Sequence, residues 1–208
     1  MLSEPVPSPR RIVADTNTRP IIVGVLSDTH GHLYPQVREM LRGVDHILHA
    51  GDVGSPQVLA ELKTIAPVTA VRGNCDLEAW AQSLPLRAEL ELGGVRVVMG
   101  HMAGRLREGP ERRARDDQGD DEGQQGVGAG FRVVVTGHSH RVESEERDGV
   151  LHLNPGSAGP ERFGHPRTLA RLVISPALEE GQPACAGAPA QVRVELLIVP
   201  TGSGPRES

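Results

Sequence analysis

The chain reads as an α/β protein in which two sheets pack on one another with helices outside. Three observations point there. Between residues 21 and 72, short apolar runs alternate with segments of helical spacing, the pattern of a parallel sheet with crossover helices. From Arg87 onward the rhythm changes to period-two runs joined by two-residue turns, so strands dominate the second half. At 208 residues and 38% hydrophobic content, the chain can bury one substantial core.

The first twenty residues are rich in Pro, Ser and Arg without periodicity and are expected to be a disordered leader. The single domain is expected over 21–200, with 201–208 as a tail. IIVGVL from Ile21 is near-continuously apolar, as buried parallel strands are. After SDTHGH, Val37, Met40 and Leu41 recur at helical spacing and Gly43 supplies a stop. A strand at 46–51 follows, then a helix opening at Pro56 with Val58, Leu59 and Leu62 inward, and Pro67 precedes a strand at 68–72.

RAELELGGVRVVMG predicts a hairpin turning at Gly93-Gly94, and a strand at 132–136 ends in GHSH. RVESEERDGVLHLN predicts a second hairpin at Asp148-Gly149, while TLARLVI and VRVELLIV suit a last antiparallel couple. Residues 105–130 run basic, then acidic, then Gly-rich, and are expected to form a flexible, solvated loop, with a flap over the site as the functional alternative. The Ala/Gly/Pro-rich stretch 175–191 is expected to be a flexible insertion.

Composition excludes several classes. A net charge of -5 argues against a dedicated nucleic-acid binder. The arginine-heavy basic set, with Lys63 the only lysine, reads as genomic base bias. Two cysteines, Cys75 and Cys185, provide no disulfide framework and fit a reducing compartment. No stretch approaches the roughly 18 apolar residues of a membrane span. The N-terminal residues lack a secretory apolar run, so a cytoplasmic location without membrane partners is expected. A homo-oligomer stays open.

Seven candidate metal ligands fall where five apolar strands run out: Asp28 and His30 in SDTHG, Asp52 in HAGD, Asn74 in RGNCD, His101 in VVMGH, His138 and His140 in TGHSH. Parallel strands present their carboxyl ends along one edge, which gathers residues distant in sequence. Carboxylate, imidazole and carboxamide oxygen are ligands for hard-to-borderline divalent ions. Seven are too many for one tetrahedral site and suit two metals. Strand alternation should point Asp28 and His30 to one side with Thr29 away, and His138 and His140 likewise. Taken singly, each histidine would be better read as core or surface, and Asp28, Asp52 and Asn74 as turn residues. The ordered set overrides those readings.

SDTHG, HAGD, RGNCD, VVMGH, TGHSH and LNPGSAGP together resemble the metallophosphoesterase (calcineurin-like) superfamily, most of all its small bacterial and archaeal phosphodiesterase branch. The resemblance runs from about Ile21 to Val199. It implies a four-layer α-β-β-α sandwich with two central mixed sheets. It implies two divalent ions, manganese first and iron, nickel or zinc as alternatives. Carried over by position, Asp28, His30, Asp52 and His140 would hold one ion. Asp52, Asn74, His101 and His138 would hold the other, with Asp52 bridging. Asp52, Asn74 and His101 are the expected catalytic positions.

The chain departs from many members at Cys75, where a leaving-group histidine often stands, and at Met102, where glycine commonly follows the histidine. The implied activity is hydrolysis of a phosphodiester, a small molecule or nucleotide, by a hydroxide bridging the two ions. Two divalent ions, two aspartates and a hydroxide leave one net positive charge, which a phosphodiester monoanion cancels. A phosphomonoesterase or nucleotidase of the same fold is the alternative. A non-catalytic scaffold, as the retromer subunit of this fold is, would be expected to lack ligands, and here no position is vacant. Cys75 is read as a small buried filler or a reactive thiol, Asp76 as a turn or cap residue, and His49 as core or as support for the ligands. Asn154 and Ser157 should form a turn behind the metal edge. Arg162 could reach a substrate phosphate, though an exposed loop arginine is its simpler reading.

Overall fold

The computed structural model describes residues 10–12, 19–106, 133–161, 164–175 and 190–200. The greater part of the charged loop 105–130 and of the insertion 175–191, the tail 201–208 and Arg162 lie outside the described residues.

Five strands make the first sheet. β2 (Ile21–Leu26), β3 (His46–His49) and β4 (Val68–Ala70) run parallel, as the alternation of strands and helices predicts. The sheet does not stop there. β10 (Thr168–Ser175) pairs antiparallel with β2, Leu172 opposite Val23, and β11 (Gln191–Ile198) pairs antiparallel with β10. The expected last couple thus forms, but it extends the first sheet, whose order is β11-β10-β2-β3-β4. The alternating pattern shows which face of a strand is buried; it is silent on which edge the strand joins.

The second sheet has the order β1-β5-β6-β7-β9-β8. β5 (Arg87–Leu92) and β6 (Val95–Gly100) form the expected hairpin, with Gly93 and Gly94 at φ 55° and 78° in the two-residue turn. β8 (Val142–Arg147) and β9 (Val150–Pro155) form the other, turning at Asp148 and Gly149 with φ 51° and 74°. β7 (Val133–Val135) lies parallel to both β6 and β9. β1 (Arg10–Ile12) corrects the reading of residues 1–20 as wholly disordered, because it pairs parallel with β5, Arg10 opposite Leu90. The free edge of β5 offers unpaired backbone groups that an extended segment of any composition can satisfy.

Every strand near the middle has two buried faces. Val23 and Val25 of β2 point between the sheets, where they meet Leu48, Leu90, Val97, Met99, Val133 and Leu172. Ile22 and Leu26 point the other way, onto α1 (Pro35–Met40) and α2 (Pro56–Lys63) through Val37, Leu41, Val58 and Leu62. α2 begins as the sequence suggests: Pro56 occupies the first turn and the Ser55 hydroxyl accepts the Gln57 N–H at 3.2 Å. On the far side of the second sheet, Val98 and Val134 are covered by Leu106 of the short α3 (Ala103–Leu106). Helix, sheet, sheet and helix are the four layers expected. Leu106 is buried although it opens the stretch read as a solvated loop. Among the described residues no helix is long and apolar enough to cross a membrane.

A buried histidine ties the ends of β2 and β3 together. His49 is fully buried; its Nδ1 accepts the Gly51 N–H at 3.3 Å, and its Nε2 lies 2.9 Å from the Thr29 hydroxyl. That hydroxyl donates to the Val53 carbonyl at 2.9 Å, so Nε2 must carry the proton that reaches Thr29. The chain Gly51, His49, Thr29, Val53 is complete with a neutral ring. Burial pushes the His49 imidazole down to about 4.

Two predictions follow from this packing. Leu48→Ala, between the sheets, should cost about 2–5 kcal/mol, whereas Leu196→Ala, 44% exposed on β11, should stay within about 0.5 kcal/mol in urea unfolding. For His49 the folded value lies below the ordinary imidazole value of 6.5, so its contribution is full above that pH and is lost as pH falls toward about 4. Over that window His49 should contribute a slope approaching about 1.4 kcal/mol per pH unit. A His49→Gln variant should be less stable at pH 7 yet flatter between pH 6.5 and 4. Parallel curves for the two proteins would refute the assignment.

Candidate metal centre

The parallel strands of both sheets deliver the seven residues to one place. Asp28 and His30 follow β2, Asp52 follows β3, Asn74 follows β4, His101 follows β6, and His138 and His140 follow β7. The site is therefore a seam between two sheet edges and not one edge alone. Backbone bonds stitch it: Asp28 N–H to Gly51 O at 3.0 Å, His30 N–H to Asp52 O at 3.0 Å, and Gly137 N–H to His101 O at 3.0 Å.

Strand alternation is not what aims the ligands. β2 ends at Leu26, and both Asp28 and His30 sit in the left-handed region, with φ 55° and 47°. Asp52, His138 and His140 do the same, at 52°, 70° and 57°. Among the described non-glycine residues the only other positive φ is that of Asp148 in its hairpin turn. Each such residue costs on the order of 1 kcal/mol, and such outliers concentrate at functional sites. The outcome still matches the expectation for Thr29, which turns away from the ligands toward His49.

The side chains form a buried floor and an exposed rim. Asp28, Asp52, His101 and His140 are buried, His30 is half-buried, and Asn74, Cys75 and His138 are exposed. His140 Nε2 lies 3.3 Å from Asp28 Oδ1 and 3.3 Å from His30 Nε2. His101 Nε2 lies 3.4 Å from Asp52 Oδ2 and 3.0 Å from Asn74 Oδ1. The His138 ring stands edge-on to His101 with centroids 5.2 Å apart, and its backbone N–H donates to Asp28 Oδ2 at 3.1 Å. All seven predicted residues are thus brought together.

Two overlapping groups have ligand atoms within 4.8 Å of one another, Asp28 with His30 and His140, and Asp28 with Asp52 and His101. A third group joins His30, Asp52 and Cys75. The exposure of Cys75 rules out the buried-filler reading: its thiol accepts the Asn74 amide N–H at 3.4 Å on the rim. His101 is in place despite Met102, since its Nδ1 lies 2.8 Å from Ala50 O. A carbonyl only accepts, so Nδ1 carries a proton; Nε2 faces the oxygens of Asn74 and Asp52, donating to them when the ring is protonated and offering its lone pair to a cation when it is neutral.

Electrostatics separate the two aspartates. Burial raises the Asp28 carboxyl above its ordinary value, against the opposing hydrogen bond from Ser27. Burial also acts to raise Asp52, but hydrogen bonds from His101 and the Cys75 N–H outweigh it and hold that carboxyl below the usual carboxylate range. Burial acts to lower His101, and the hydrogen bond and charge of Asp52 outweigh it, so its value is raised. The donor set fits a cation. Asp28 Oδ1 is buried without a hydrogen bond, and imidazole and carboxylate acceptor atoms crowd it.

Supporting residues were less legible. Asn154 Nδ2 donates to Gly137 O at 2.8 Å and to Ser139 Oγ at 3.1 Å, and Ser157 Oγ donates to Asp28 O at 3.1 Å, so the expected turn does close behind the site. The Ser27 hydroxyl lies within hydrogen-bonding reach of both Asp28 Oδ2 and Gly156 O. Asp76, read as a turn or cap, is buried and holds three backbone N–H groups. One sequence carries no signal that separates such a carboxylate from an ordinary turn aspartate.

Comparison with known proteins agrees with this geometry. Residues 21–176 match the calcineurin-like phosphoesterase superfamily domain. A probable metallophosphoesterase of Methanothermobacter thermautotrophicus is 31% identical over 176 residues, covering 79% of this chain and 96% of the relative. Phosphodiesterase YfcE of Escherichia coli is 30% identical over 172 residues, covering 70% and 84%. In fold, Vacuolar Protein Sorting 29 from Cryptosporidium parvum superposes with a TM-score of 0.57 at 20% identity, covering 86% of this chain and 99% of that one. With its match spanning β2 to β10, the chain belongs to the calcineurin-like phosphoesterase superfamily and is a metal-dependent phosphoesterase, a hydrolase of ester bonds.

Proposed function

We propose that the chain hydrolyses phosphodiesters at a two-ion centre. Asp28, His30, Asp52 and His140 hold one ion, and Asp52, Asn74, His101 and His138 hold the other. The observation that carries this reading is the position of Asp52. Its carboxylate lies within 4.8 Å of the ligand atoms of His30 in one group and of His101 in another. Asp28 also reaches two groups, but its Oδ2 already accepts from the Ser27 hydroxyl and the His138 N–H. Asp52 accepts the Cys75 N–H at 2.8 Å on Oδ1, while its Oδ2 faces His101 Nε2, itself a proposed ligand atom, at 3.4 Å, so Asp52 is the better bridge.

Two such ions, when bound, polarise phosphoryl oxygens and make water acidic enough to attack near neutral pH. The protein's own part is to hold seven donors at fixed directions and to keep Asp52 ionised. Manganese is the proposed ion, with iron, nickel or zinc the alternatives, since mixed imidazole and oxygen donors serve all of them. The diester preference rests on the rim. Cys75 stands beside Asn74 where a histidine could protonate a departing alkoxide, so substrates with stabilised leaving groups are favoured. A small phosphodiester or nucleotide in the cytoplasm fits the open, exposed rim. Related proteins named phosphodiesterase, at 27% and 30% identity, support the same substrate class.

Stripping the protein with a chelator should abolish turnover and manganese should restore it. The reloaded enzyme should cleave an aryl phosphodiester faster than the matching monoester; the reverse order would overturn the diester reading. Asp52→Asn should lose on the order of 10²–10³-fold in turnover, the scale of removing one electrostatic stabiliser, and Asn74→Ala about tenfold. Small, equal losses in both variants, with full metal content by elemental analysis, would refute Asp52 as the bridge.

A further inference from the structure

Asp52 and Asn74 sit on different loops, after β3 and β4, yet the proposed second ion needs both oxygens at once. Between those loops lies Asp76, 2% exposed. Its Oδ1 accepts the Gly54 N–H at 2.8 Å, and its Oδ2 accepts the Val53 N–H at 3.1 Å and the Gly73 N–H at 2.8 Å. Two of those donors directly follow Asp52, and the third directly precedes Asn74. The carboxylate therefore spans both loops within one residue of each ligand.

The neighbouring chain closes the clamp. The Cys75 N–H donates to Asp52 Oδ1 at 2.8 Å. Gly73 lies so close to Asp52 that a Cβ there would collide with its carboxylate and backbone. The turn Gly73–Asp76 thus presents Asn74 to the site, holds Asp52 through Cys75 and grips the Asp52 loop through Asp76. Only a carboxylate of this length can accept all three N–H groups. An asparagine would set an NH₂ against an N–H, and a glutamate would push the loops apart by a methylene.

We propose that Asp76 is a positioning residue that fixes the separation of Asp52 and Asn74 and thereby sets the affinity of the second ion. The proposal rests on the two-ion reading. It bears chiefly on the second site, because Asn74 serves that ion alone, whereas the first site meets the clamp only through backbone bonds of His30 to Asp52 O and of Gly31 to Val53 O, at 3.0 and 2.8 Å.

The test is titration of metal-free protein with manganese, followed by calorimetry and by the spin-coupling signature of a manganese pair. Wild type should take two ions. Asp76→Asn should bind the second ion about 10–100-fold more weakly, the usual cost of losing a ligand-orienting partner, and the first with a much smaller loss, because Asp52 is shared while Asn74 serves the second ion alone. Excess manganese should then recover kcat. Unchanged affinity for both ions in a folded variant would overturn the proposal. Parallel weakening of both would also overturn it, by marking Asp76 as a general stability residue. A wild type that takes fewer than two ions would instead overturn the two-ion reading, and the proposal with it. Should Asp76→Asn not fold, amide exchange in metal-free wild type decides: slow exchange at Val53, Gly54 and Gly73 supports a preformed clamp, and fast exchange refutes it.

Discussion

The structure is organised around a crowding of ligand-type atoms. Ring nitrogens of His30, His101 and His140 and the oxygens of Asp28 and Asp52 meet in a largely buried place, at 3.3–3.4 Å from one another. Left alone, such a cluster favours spreading or protonation, and the raised His101 and Asp28 values are that tendency expressed. A cation converts the same crowding into attraction. The fold must therefore hold in the metal-free state an arrangement that becomes favourable only when charge is supplied.

Holding it takes strain at the ligands and hydrogen bonds behind them. Five of the proposed ligands have left-handed backbones, and each is tied down from the rear. Thr29, between two of them, is locked by His49; the Asp52 loop is gripped by Asp76; His138 and His140 flank Ser139, which Asn154 contacts. Glycines stand where loops touch. At Gly137 a Cβ would press on Ser27 Oγ at 2.8 Å and on Ala50 O at 2.9 Å, and at Gly51, φ 94°, it would press on the His101 ring. The two parallel sheet edges bring the loops near one another, and these contacts decide the last ångström.

Much of this was legible in the sequence for a definite reason. A buried parallel strand announces itself as an apolar run, and a polar ligand type at its end breaks that run conspicuously, so Asp28, Asp52, His101 and His140 could be picked by position. The two-residue turns Gly93-Gly94 and Asp148-Gly149 were equally plain, because few residues tolerate their positive φ. What did not show were properties set by distant partners. Nothing in TLARLVI says that it pairs with β2, and nothing in Arg10–Ile12 says that β5 has a vacant edge. Asp76 and His49 look like ordinary turn and strand residues until the backbone groups they satisfy come from another loop. Cys75 misled in the opposite way: a small apolar side chain suggests burial, whereas its place on the rim is set by the turn that brings Asn74 inward.

On the proposed function, the division between floor and rim would separate reaction from selectivity. The floor residues are buried and mutually constrained, so a change there alters charge and strain together. Asn74, Cys75 and His138 are exposed; Asn74 and His138 meet the network through His101, and the Cys75 sulfur lies within 4.8 Å of ligand atoms of His30 and Asp52. Cys75 holds Asp52 by its backbone N–H, and its sulfur accepts the Asn74 amide N–H on the rim. The backbone bond to Asp52 remains whatever residue stands at 75, so a change of side chain there leaves that anchor in place. On the proposed two-ion reading, a bridging carboxylate anchored by main chain leaves the adjacent side chain open to set which leaving groups can depart, and the identity of residue 75 would then distinguish the phosphoester classes that one metal floor can serve.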